Sequence, residues 1–76
     1  MTARLPILSG RNAVKVFAKA GWMVFHERGS HIILYKEDSD KTLSVPDHKE
    51  LDRGLLRKLV RQSGLTVDEF CSLLND

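Results

Sequence analysis

Apolar residues recur along this chain with two different periods, and the change of period marks the predicted elements. Ser9 is a good N-cap residue, and a run of apolar positions at helical spacing follows it. These positions are Ala13, Val14, Phe17 and Ala18. The pattern predicts a first helix over residues 10–20, and Gly21 is suited to end it because glycine accepts the left-handed backbone of a helix terminus.

The next two segments alternate between apolar and polar types as strands do. Residues 22–27 and 30–36 are rich in aromatic and β-branched side chains, and Arg28-Gly29 between them predicts a tight turn. Pairing residue 27 with residue 30 would set His26 opposite His31 and turn both histidines away from the core. The face predicted to be purely apolar carries Met23, Phe25, Ile32 and Leu34. The mixed face carries the histidines together with Trp22, Val24, Ile33 and Tyr35.

The second half of the chain predicts one more strand and two helices. The strand covers residues 42–45 and ends at Pro46, which cannot donate to a ladder. Asp52 is suited to cap a helix over residues 53–63. Thr66 to Glu69 forms a capping box that opens a last short helix. The order α-β-β-β-α-α with short connections predicts an α+β fold, in which the helices cover the apolar face of a three-stranded antiparallel sheet.

Length and composition limit the classes of function. The chain has 76 residues, so residues 1–76 are expected to form one domain without room for a deep pocket. A large, surface-bound substrate is therefore favoured over a small enclosed metabolite. The single cysteine, Cys71, excludes an internal disulfide and lies on an apolar helix face. No signal peptide or membrane span is predicted, which points to the cytoplasm.

Positive charge is concentrated in the first 65 residues, which hold 12 basic and 7 acidic side chains. The first helix carries Arg11, Lys15 and Lys19 four residues apart, so the three cations share one helix face. The second helix repeats this spacing with Arg53, Arg57 and Arg61, and Lys58 lies beside them. An anionic partner such as a nucleic acid would relieve the repulsion within each row, and a solvated outer face is the alternative. Arg53 also lies in a first turn whose free amides suit a phosphate.

Gly29-Ser30-His31 is the candidate for chemistry. Histidine exchanges protons near neutral pH, and RNA carries its own nucleophile in the 2′-hydroxyl. One histidine near cations is therefore sufficient for a ribonuclease on a small scaffold, although a surface histidine without a role is the simpler interpretation. His26, His31 and His48 lack the spacing of a zinc site, so no metal is expected. Trp22 and Tyr35 are candidates for stacking on bases or for contacting a protein.

The chain as a whole resembles the HicA family of toxin ribonucleases. The residues that carry the resemblance are Leu5-Pro6, Ser9-Gly10, Ala20-Gly21-Trp22, Arg28-Gly29-Ser30-His31, Val45-Pro46, the leucine and glycine pattern from Leu51 to Leu65, and the box from Thr66 to Phe70. Trp22, where the family often has Phe or Tyr, and the segment 47–50 depart from the pattern without affecting the candidate chemistry.

The resemblance implies a fold like that of double-stranded-RNA-binding domains and an mRNA-cleaving toxin that needs neither metal nor cofactor. It also implies a HicB-type antitoxin as inhibitor, with the free toxin a monomer and the complex a hetero-oligomer. His31 matches the catalytic histidine of the family, and Gly29 and Ser30 match its setting. The other predicted RNA contacts are Arg28, Lys15, Lys19, Arg53, Arg57 and Lys58. A non-catalytic RNA-binding module and a protein-interaction domain using a Trp22/Tyr35 face are the alternatives.

Overall fold

The computed structural model describes residues 4–76, and its element order is the predicted one. The elements are α1 (Gly10–Lys19), β1 (Met23–Arg28), β2 (His31–Tyr35), β3 (Thr42–Pro46), α2 (Arg53–Gln62) and α3 (Val67–Leu74). The strands form one antiparallel sheet in the order β1-β2-β3. The α+β class and the α-β-β-β-α-α order are thus confirmed. No helix within the described range is long and apolar enough to cross a membrane.

The helices begin where the capping residues predict. The Ser9 hydroxyl accepts from the Asn12 amide at 3.0 Å, and the Asp52 carboxylate accepts from the Leu55 amide at 3.2 Å. Thr66 and Glu69 form the reciprocal capping box that opens α3. Each of these contacts satisfies an otherwise unpaired amide of a first helical turn. The caps are local in sequence, so the predicted helix starts agree with the structure.

The helices cover one face of the sheet, and the core lies between the two layers. Ile32 and Leu34 of β2 and Leu43 and Val45 of β3 alternate inward and are at most 3% exposed. The helices contribute Ala13, Val16, Phe17, Leu56, Leu59, Val60 and Phe70 to this core. Ala18, predicted to lie on the apolar face of α1, is exposed, and Val16 is buried instead.

The predicted pairing of β1 with β2 is wrong. The turn residues are Gly29 and Ser30, so Arg28 pairs with His31 and His26 pairs with Ile33. Gly29 takes a φ of 59°, which fits a two-residue hairpin loop with glycine first. The sheet then has an irregular register between Val24 and His26, where Phe25 has no partner, as in a β-bulge.

The bulge reverses the predicted faces of the first half of β1. Val24 pairs with the buried Leu34, and Trp22, just before β1, enters the core at 2% exposure. Met23 and Phe25, predicted inward, are 55% and 64% exposed. An inserted residue shifts the two-residue alternation by one position, so every side chain before it changes face. A protein-interaction face built on Trp22 and Tyr35 is therefore excluded.

The N-terminus of α1 meets the chain that leaves β3. The Gly10 amide donates to the His48 carbonyl at 2.9 Å, and the Leu51 amide donates to the Leu8 carbonyl at 2.7 Å. A Cβ at Gly10 would overlap the Pro46 carbonyl oxygen, so glycine is required for this approach. The close contact holds the end of β3 next to the hairpin loop, where the candidate site lies.

Candidate functional site

The sheet face opposite the helices is uncovered, and we call it the open face. Its strand residues are Met23, Phe25, His26, Arg28, His31, Ile33, Tyr35, Thr42, Ser44 and Pro46. All of them except Ile33 and Pro46 are exposed. His31 is on this face as predicted, because it alternates with the buried Ile32 along β2.

His31 is held by a hydroxyl group from the neighbouring strand. Its Nδ1 lies 3.1 Å from the Ser44 Oγ of β3. The hydroxyl can accept from a protonated Nδ1 or donate to an unprotonated one, so it accommodates both ring tautomers. The Nε2 atom has no hydrogen-bond partner among residues 4–76, and the side chain is exposed. The contact therefore orients the ring and leaves its second nitrogen available to a ligand.

Arg28 is the cation nearest to His31 in the sheet ladder. The two residues pair directly across β1 and β2, so their side chains stand side by side on the open face. This arrangement differs from the prediction, in which Arg28-Gly29 was the turn and His26 was the partner of His31. His26 shares the face but lies opposite Ile33.

Hydrogen bonds and one cation bind the hairpin loop to the rest of the molecule. The Asp47 amide donates to the Ser30 carbonyl at 2.6 Å. The Arg11 guanidinium lies 2.9 Å from the Asp47 carboxylate and 3.6 Å from that of Glu27. Nothing lies within 4 Å of the position that a Cβ would occupy at Gly29. The loop is thus anchored at its base and accessible at Gly29.

The predicted cationic row of α1 does not converge on His31. Arg11 is paired with two carboxylates, so its charge is largely compensated. Lys19 lies about 12 Å from Arg11 along the helix axis and donates to the carbonyls of Leu73 and Asp76 at 2.9 and 3.0 Å. Lys15 is exposed and has no ion pair among residues 4–76. It lines a shallow cavity on the helix side of β1, together with Val24 and Glu27.

The cationic row of α2 also belongs to the helix layer. Arg53, Arg57 and Lys58 are exposed, and α2 packs on β3 from the side of the core. Arg57 and Arg61 line a groove of about 290 Å³ beside the connection from α2 to α3. These residues are therefore part of the helix layer and not among the strand residues of the open face. Of the predicted site residues, the structure brings together Arg28, Gly29, Ser30 and His31.

Ser44 is the residue of this site that sequence reasoning missed. The signal that could have found it is the alternation of β3, which turns Ser44 outward between the inward Leu43 and Val45. Its contact with His31 depends on the register of β2 with β3, where Ile33 rather than His31 is its direct partner. Among residues 4–76, no group of three or more His, Cys, Asp or Glu side chains is arranged to hold a metal ion.

The sequence was compared with models of known families and with curated proteins. The model described as the HicA toxin of bacterial toxin–antitoxin systems matches residues 10–65, which is most of the chain. The matched segment includes every residue of the site around His31. No curated protein matches the chain. The chain therefore belongs to the HicA toxin family and is the toxin of a bacterial toxin–antitoxin pair.

Proposed function

We propose that this toxin is an endoribonuclease that cleaves mRNA, with His31 as the residue that transfers the proton. The observation that carries the proposal is the 3.1 Å contact between His31 Nδ1 and Ser44 Oγ on the open face. The contact orients the imidazole ring while its Nε2 stays accessible to a bound strand. A surface site of this kind suits a polymer substrate, which needs no enclosing pocket.

The reaction uses the nucleophile that RNA carries. With Nδ1–H donating to Ser44, Nε2 holds a lone pair and takes the proton of the 2′-hydroxyl. The 2′-oxygen then attacks the adjacent phosphorus, and the bond from phosphorus to the 5′-oxygen breaks. The departing 5′-oxygen takes a proton from the imidazolium or from water, which leaves a 2′,3′-cyclic phosphate. Ser44 can keep its contact throughout, because the imidazolium also donates from Nδ1.

Arg28 is the proposed partner of the phosphate. Arg28 is the direct partner of His31 across the ladder, so its guanidinium can reach a phosphate at His31, and its planar set of donors matches phosphate oxygens. A fixed cation next to the phosphorus stabilises the charge that builds up during attack. The uncovered backbone at Gly29 allows the strand to approach the loop closely. This set supplies the base, the cation and the access that the reaction needs, without a metal ion or cofactor.

A modified RNA substrate tests whether the 2′-hydroxyl is the nucleophile. After the cleaved position has been mapped in an RNA oligonucleotide, a 2′-O-methyl group placed there is expected to abolish cleavage at that site, because it removes the nucleophile. Mass spectrometry of the unmodified reaction is expected to find a 2′,3′-cyclic phosphate, with EDTA present.

The matched control carries the methyl group one nucleotide away and is expected to remain a substrate. Cleavage at the methylated position would refute the mechanism. Intact RNA that binds with a strong salt dependence would instead favour the non-catalytic RNA-binding module.

Ser44→Ala is expected to slow cleavage by about threefold to tenfold, the worth of a net hydrogen bond of about 0.5–1.5 kcal/mol. The loss should appear in kcat with KM unchanged, because Ser44 orients the ring and does not bind RNA. Single-turnover and steady-state cleavage rates of the purified variant measure this split.

Ser44→Thr keeps the hydroxyl and is expected to retain most of the rate. Thr42→Ala removes a hydroxyl from the same exposed face of β3 and serves as the matched control. Equal losses in Ser44→Ala and Thr42→Ala would show that Ser44 has no particular part in positioning His31.

We propose a HicB-type protein as the antitoxin partner. A free monomer would have its open face uncovered, and a hetero-oligomer in which the antitoxin covers His31 would block the reaction. Since mRNA is the proposed substrate, the cytoplasm is the proposed place of action.

A further inference from the structure

Two aromatic rings meet on the open face at a distance from His31. The bulge in β1 brings Phe25 next to Tyr35 of β2, with ring centroids 5.8 Å apart and planes at 75°. Phe25 is 64% exposed and Tyr35 is 37% exposed, while Met23 beside them is 55% exposed. Water contact with so much apolar surface is unfavourable, so a ligand that covers these rings gains free energy.

The charge of this face favours an anionic ligand. Among the strand residues that the structure describes on the open face, none carries a carboxylate, whereas Arg28 and two histidines are present. Glu27, the acidic residue of β1, pairs with Ile32 on the helix side and forms an ion pair with Arg11. The Glu27 carboxylate is thus turned away from the open face and compensated. Glu37, Asp38 and Asp40 lie in the loop between β2 and β3, where Lys36 and Lys41 flank them in sequence. Aromatic rings on the same face as a cation such as Arg28 are the usual composition of a surface that binds single-stranded nucleic acid.

The ring pair and His31 lie at opposite ends of β2. Tyr35 is four residue steps after His31 along β2, which corresponds to about 13 Å along an extended strand. A base on the rings therefore belongs to a nucleotide other than the one whose phosphate lies at His31. The same RNA strand can thus contact His31 and Arg28 at the loop end and the rings further along the sheet.

We propose that Phe25 and Tyr35 form a base-stacking subsite that selects unpaired RNA for this toxin. The proposal rests on the proposed ribonuclease function of His31. It adds a second contact between the open face and the RNA, in which an unpaired base lies on the rings. In a duplex each base is stacked between its neighbours and presents no free face to a protein ring. An unpaired base can leave its stack and lie on an aromatic side chain. The prediction of stacking by Trp22 is replaced by Phe25, because Trp22 is in the core.

The test measures binding separately from cleavage. The probe is a short fluorescent oligonucleotide with 2′-O-methyl groups throughout, which cannot be cleaved by the proposed mechanism. Phe25→Leu and Tyr35→Leu remove a ring but keep an apolar side chain. Each is expected to weaken binding of the unpaired probe by about fivefold to a hundredfold, the usual worth of one stacked base.

Matched variants identify the ring as the cause. Phe25→Tyr and Tyr35→Phe keep both rings and are expected to bind like the wild type. His48→Ala, which lies outside the strands of the open face, is expected to bind the probe like the wild type. Because the probe cannot be cleaved, a failure of the catalytic proposal would leave this measurement interpretable. The same oligonucleotide annealed to its complement is expected to bind more weakly and to be insensitive to loss of the rings.

Two results would overturn the subsite. One is unchanged binding of the unpaired probe in both leucine variants while the wild type still cleaves RNA, which would leave the proposed function intact. The other is normal RNA binding and cleavage combined with loss of neutralisation by the co-expressed antitoxin, which would make the rings a protein interface. Melting curves of the variants are expected to match that of the wild type, because both side chains are exposed. This measurement excludes unfolding as the cause of weaker binding.

Discussion

Replacing His31 with alanine is expected to lower the rate of RNA cleavage by about 10²–10⁴-fold, the usual contribution of a general base. The variant loses the nitrogen that takes the proton of the 2′-hydroxyl, while RNA binding by the rest of the open face remains. The fold should be unaffected, because His31 is exposed and its side-chain hydrogen bond is to the equally exposed Ser44. Cleavage rates of the purified proteins measure the loss, and growth with mRNA integrity measures it in cells.

His48→Ala is the matched control for this prediction. His48 is exposed in the connection from β3 to α2, and its contact with α1 is made by the backbone carbonyl rather than by the ring. The variant is expected to cleave RNA and arrest growth like the wild type. If His31→Ala is as active and as toxic as the wild type, the catalytic assignment is wrong.

Replacing Phe70 with alanine is expected to cost about 3–5 kcal/mol of folding free energy, as for other buried phenylalanines. Phe70 of α3 is fully buried, and its ring centroid lies 5.2 Å from that of Phe17 in α1. A domain of this size has a stability of roughly 3–5 kcal/mol from its core. The variant should therefore be largely unfolded without denaturant, and urea titration followed by circular dichroism measures this.

Ser72→Ala provides the control on the same helix. Ser72 is exposed, and its replacement is expected to change stability by less than about 0.5 kcal/mol. A urea midpoint for Phe70→Ala equal to that of the wild type would contradict the packing described for α3. α3 follows the residues 10–65 that the family model matches, and its Phe70 nevertheless completes the core around Phe17.

The helices were predictable because their signals are local. A capping residue and the amide it accepts are three positions apart, so the sequence contains both partners within one turn. The helical spacing of Leu55, Leu56, Leu59 and Val60 likewise predicts the core face of α2, on which all but the half-buried Leu55 are buried. The first and second helices each end one residue earlier than predicted.

The pairing of β1 was not predictable from its residues. Residues 22–25 are all apolar, so either set of alternate positions could be assigned to the core. The choice depends on which residue forms the bulge. In the structure the bulge is at Phe25, so Trp22 enters the core and Met23 and Phe25 are left on the open face.

The sequence by itself determined the family, the order of elements and His31 as the candidate for chemistry, because these depend on motifs and on alternation within single segments. Only the tertiary structure decided what surrounds His31. Ser44 is 13 positions away, and the partners of Arg11 and Lys19 include residues 36 and 54 positions away. Contacts over such separations depend on strand register and helix packing, which spacing along the chain does not contain. The cations predicted to contact RNA are therefore divided between the helix layer and the sheet, and Arg28 and Ser44 are the side chains that the sheet brings to His31.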